Sequence, residues 1–82
     1  MHAQSTSTPA YEDAVVDGEI MRMLLADDGQ RPWTVAEIAR ETGDEIAAVD
    51  SLNRLHGGGL IHRLEGFVFA TRAALASEQL AR

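Results

Sequence analysis

Arginines, carboxylates and three histidines carry the chemistry available to this sequence, which contains no cysteine and no lysine. Without cysteine there are no disulfides, zinc-thiolate sites or thiol nucleophiles. His2 lies at the extreme N-terminus, and His56 and His62 belong to different predicted elements, so the three do not converge on a metal site or a catalytic base. Adjacent carboxylates occur at Asp27-Asp28 and Asp44-Glu45, at helix ends rather than on cleft walls. No phosphate loop, metal-ligand spacing or nucleophile–base pair is present. An enzyme is therefore not expected, nor is a cofactor. What remains is recognition: all seven basic residues are arginine, whose guanidinium can bind guanine or phosphate through two hydrogen bonds.

Charge limits what can be recognised. Thirteen acids against seven arginines give a net charge of −6, which argues against indiscriminate attraction to phosphates or anionic lipid. The acidity is concentrated at the front. Residues 1 to 28 hold six acids and one arginine, whereas residues 29 to 82 hold seven acids and six arginines. The N-terminus has no basic region leading into an apolar run, and no stretch approaches the roughly 18 apolar residues of a membrane span, so the expected location is cytoplasmic.

Eighty-two residues suffice for one domain with one small core. Residues 1–8 are polar and aperiodic and read as a disordered tail, leaving 9–82 as the domain. Thr8 and Pro9 predict a helix start, with the helix running to about Ala26. Its Val16, Ile20, Met23 and Leu24 share a side with Asp13 and Asp17, and only the half after Gly18 reads as securely buried. Asp27-Asp28-Gly29 ends it, and Arg31-Pro32-Trp33 is extended. Thr34-Val35-Ala36-Glu37 is a capping box for a short helix that turns Val35, Ile38 and Ala39 inward and stops at Gly43.

Asp44 caps a third helix, in which Ile46, Val49, Leu52 and Leu55 recur every three residues on the expected buried side, beside Ala48. The opposite side shows Ala47, Asp50, Ser51 and Arg54. After Gly57-Gly58-Gly59, residues 60–64 and 67–70 form a hairpin about Glu65-Gly66, with Trp33, Phe67 and Phe69 expected as its packed base. Thr71 caps a last helix running from Arg72 to Arg82.

With these elements in order, the sequence resembles the winged helix-turn-helix family of bacterial regulators from about Ile20 to Ala70. The resemblance rests on residues 34–43, TVAEIARETG, on Leu52-Asn53-Arg54-Leu55, and on Gly59-Leu60-Ile61 leading into the hairpin. It implies a mainly α fold with a β-wing, and a DNA-binding transcriptional regulator whose recognition helix spans about 44–56. Carried over by position, the DNA-contacting set is Ala47, Asp50, Ser51 and Arg54, with His62 and Arg63 on the wing.

Two readings follow. In the first, paired copies of the chain meet successive major grooves of double-stranded DNA. In the second, the module binds no DNA and uses its acidic first helix or acidic recognition face to meet a basic protein partner. Against the first, residues 34–72 hold six acids and four arginines, and Asp44, Glu45 and Asp50 would stand nearest the phosphates. Arg54 itself has two readings, a nucleic-acid contact or a surface pair with Asp50 one turn earlier.

Overall fold

The computed structural model describes residues 3–80. The described chain is mainly helical, with a small three-stranded antiparallel sheet. Helix α1 (Ala3–Leu25) leads through a 3-10 turn (Ala26–Gly29) to strand β1 (Trp33–Thr34). Helices α2 (Val35–Thr42) and α3 (Glu45–Gly57) follow, then strands β2 (Ile61–Leu64) and β3 (Phe67–Ala70), and finally helix α4 (Arg72–Leu80). No helix among the described residues is long and apolar enough to cross a membrane.

Local chemistry sets most element boundaries where the sequence places them. Thr34 Oγ1 accepts from the Glu37 amide at 3.1 Å while the Thr34 amide donates to Glu37 Oε1 at 2.9 Å, completing the capping box. Gly43 ends α2 in the left-handed region (φ +82°), its amide donating to Ala39 O at 3.0 Å. A side chain there would meet nothing within 4 Å, so glycine is favoured by backbone conformation alone. Asp44 Oδ1 accepts from the Ala47 amide, and Thr71 Oγ1 from the Ala74 amide, each at 3.1 Å. Glu65 and Gly66 both have positive φ, the twist that a two-residue hairpin turn requires.

The N-terminal boundary differs from expectation. Helix α1 begins at Ala3, so residues 3–8 of the segment read as a disordered tail are helical backbone, and Thr8 and Pro9 lie inside the helix rather than at its cap. Proline's fixed φ is compatible with a helix, although its missing amide leaves the carbonyl four residues earlier without its intrahelical donor. Met1 and His2, and likewise Ala81 and Arg82, fall outside the described residues.

One core joins the elements. Ile20 and Leu24 of α1, Ile38 of α2, Leu52 and Leu55 of α3, and Ile61 and Val68 of the sheet are buried together, closed by Ala48, Ala70 and Ala74. The buried side of α3 is Ala48, Ser51, Leu52 and Leu55, not the expected row of Ile46, Val49, Leu52 and Leu55. Each residue turns a helix by about 100°, so nine steps from Ile46 to Leu55 put them on opposite sides. Ile46 is accordingly 76% exposed.

The sheet order is β1-β3-β2. Trp33 pairs with Val68, and Arg63 also faces Val68, so these share the core side of the sheet. Phe67 and Phe69 share a face as expected, with ring centroids 6.5 Å apart. That face is the open one, and Phe67 is 42% exposed with Leu64 opposite it. Trp33 therefore does not join the phenylalanines in one packed base. It packs against the core from the other face, with the Arg31 guanidinium 3.5 Å from its ring centroid.

Candidate interaction surface on helix α3

Arg54 points toward α1. Its Nη2 donates to Asp17 Oδ1 at 2.8 Å and its Nε to Asp17 Oδ2 at 3.3 Å, while Nη1 lies 3.6 Å from Asp13 Oδ1. The Ser51 hydroxyl, fully buried, donates to the same Asp17 oxygen. Asp13 and Asp17 are one helical turn apart, and Ser51 and Arg54 are three residues apart, so each pair lies along one helix surface and the two surfaces meet. The Asp17 carboxylate accepts three donors in all, a fork-on-fork pair with Arg54 and a hydroxyl from the core side. Neither of the two sequence readings of Arg54 anticipates this partner.

Electrostatics within the cluster agree with the geometry. Burial alone would raise the pKa of Asp17, but the hydrogen bonds from Arg54 and Ser51, with the charge of Arg54, outweigh it and hold the carboxyl below its usual value. Arg54 is raised, first through its hydrogen bond to Asp17, against some desolvation, and then by the charges of Asp17, Asp13 and Asp50. Glu37 is lowered chiefly by the Thr34 amide that it accepts in the capping box. What the α1–α3 cluster can do is hold two helices together. Its carboxylates are matched by donors, leaving no group poised as a base.

The six residues expected to contact DNA are thus divided. Ser51 is buried and Arg54 is committed to Asp17 and Asp13, so these two leave the outward set; Ala47 is half-buried. Asp50 is exposed on the outer side of α3. His62 and Arg63 are neighbours in β2 and so face opposite sides of the sheet. Arg63 turns toward α3, where its Nη1 donates to Asn53 Oδ1 at 3.0 Å, while His62 lies across from Phe69 on the open face.

Residues that the position-by-position reading did not select complete the outer side of α3. Ile46, Asp50 and Asn53 recur at spacings of four and three, with the half-buried Val49 and the exposed Glu45 and Asp44 beside them. Helical phase counted from the small residue Ala48 and from Leu52 would have found this side in the sequence. Arg54 is the one arginine of α3, and it is turned away. Glu45 and Asp50 enter none of the ion pairs among the described residues. The outer side is consequently apolar at Ile46 and acidic around it. Among the described residues no group of three or more His, Asp or Glu side chains is placed to hold a metal ion.

No protein-family model, curated protein or solved structure matches the chain.

Proposed function

We propose that this chain is a small winged-helix module that binds a basic protein segment through the outer side of α3. The fold assignment is supported by the element order, by the left-handed glycine between α2 and α3, and by the pairing of β1 onto the hairpin. The observation that carries the functional reading is the clasp on Arg54. With that guanidinium bound by two carboxylates of α1, the outer side of α3 offers an exposed isoleucine amid Asp44, Glu45 and Asp50 and no arginine of its own, Arg63 of β2 reaching it only at Asn53. Such a surface repels phosphate and complements a partner with an apolar anchor and flanking positive charge.

The reading of the chain as a DNA-binding regulator would draw on Arg63, whose guanidinium already spans to Asn53, and on the exposed Arg40, which shares a cleft with Glu45.

Two measurements test the proposal. Electrophoresis of random duplex DNA at low salt is expected to show no retardation at tens of micromolar protein. A retardation that weakens steeply with salt and disappears in Arg63→Ala would overturn the proposal in favour of DNA. Titration with a synthetic helical peptide carrying leucine and arginine on one side is expected to shift the amide resonances of Ile46, Asp50 and Asn53. The shifts should vanish in Ile46→Glu; unchanged resonances in the wild type would count against a basic partner.

A further inference from the structure

We propose that the outer side of α1 seats a second copy of this chain, laid antiparallel across it on a two-fold axis beside Gly18. This contact lies away from the α3 surface and does not depend on the partner proposed there.

Helix α1 has two apolar sides. At about 100° per residue, Val16, Ile20 and Leu24 form the side that enters the core, and Tyr11, Ala14, Val15 and Gly18 fall on the other, with Leu25 at its far end packed partly against the core. The two ends of this second side differ in shape. Toward the N-terminus it protrudes, with Tyr11 72% and Val15 44% exposed. Toward the C-terminus it is hollow: a groove of about 370 Å³ is lined by Gly18, Met21, Arg22, Leu25 and Ala26 of α1 and its following turn, with Glu78 of α4 on its far wall.

A two-fold contact requires one patch to complement itself. An axis beside Gly18 lays each residue before it over the residue equally far after it. Tyr11 of one copy then meets Leu25 of the other, each about 10 Å from the axis at 1.5 Å per residue. Protrusion meets hollow twice. Gly18, at the crossing, has no side chain to hold the helices apart.

Charge selects the same arrangement. Arg22 is exposed, is in no ion pair among the described residues, and lies beside the crossing, its Nη1 3.8 Å from where a Cβ on Gly18 would stand. In an antiparallel pair equivalent flanks of the two helices adjoin, so each Arg22 comes beside Glu12 of the other copy, about 3 Å apart along the axis. A parallel pair would place Tyr11 against Tyr11, leaving both hollows empty, and would hold Glu12 and Arg22 about 15 Å apart along the axis.

Sedimentation equilibrium of the full chain from micromolar to millimolar concentration tests this. The wild type is expected to pass from monomer to dimer. Glu12→Arg and Arg22→Glu should each weaken the dimer on the order of tenfold, since each turns two attractive pairs into repulsive ones, and the double exchange should restore it. Val15→Arg, which sets a second cation beside Arg22 of the other copy, should give a monomer with an unchanged circular dichroism spectrum. A wild-type monomer across the whole range would overturn the proposal, as would a dimer that the single charge reversals leave unchanged or that the double exchange does not restore.

Discussion

The two sides of α3 hold similar residue types in different employment. The inner side carries Ser51 and Arg54, and both are consumed by Asp17 and Asp13 of α1. The outer side carries Ile46, Asp50 and Asn53, where the isoleucine is bare and the aspartate enters no ion pair. Polar residues on a helix are commonly assigned to solvent and apolar ones to the core; here a serine is buried and an isoleucine is out. Whether a charged side chain is available to a ligand depends on what faces it across the fold, and Arg54 is spoken for.

Mutations should separate the sides sharply. The largest effect is expected for Leu52→Ala on the inner side, a loss of about 2 to 5 kcal/mol from an emptied core position, measured by urea unfolding. Asp17→Ala comes next at about 2 kcal/mol, because it strips the buried Ser51 hydroxyl of its acceptor as well as releasing Arg54. Acid should reproduce part of that loss. The pKa of Asp17 is depressed in the folded chain, so its contribution is fully present above the ordinary carboxylate value of about 4 and disappears as pH falls through the depressed value. Asp17→Ala should therefore flatten the stability profile below about pH 4, read as the difference in unfolding midpoint between wild type and variant. On the outer side, Ile46→Ser should change stability by no more than about 0.5 kcal/mol while abolishing peptide binding. A cost for Ile46→Ser comparable to that for Leu52→Ala would erase the distinction between the sides.

What was legible in the sequence follows the range of the interaction involved. The capping box at Thr34 and Glu37, the left-handed Gly43 and the Glu65-Gly66 turn are each settled within a few residues, and each stands where the sequence places it. The phase of α3 was legible in principle, since Ala48, Ser51, Leu52 and Leu55 span one side at 3.6 residues per turn, but a three-residue row through Ile46 and Val49 drifts around the helix and obscures it. The partner of Arg54 was not legible. Asp17 lies 37 residues earlier, and only the packing of α1 on α3 brings them together. The face taken by Phe67 and Phe69 was hidden likewise, because strand alternation tells which residues share a side but not which side meets the core.

Helix α1 holds Arg54, and a double-mutant cycle on Asp17→Ala and Arg54→Ala puts that contact to the test. Because both side chains are partly exposed and solvent-screened, a coupling of about 1 kcal/mol is predicted from chemical unfolding of the four proteins. Additivity within about 0.3 kcal/mol would contradict the clasp and leave Arg54 a free cation.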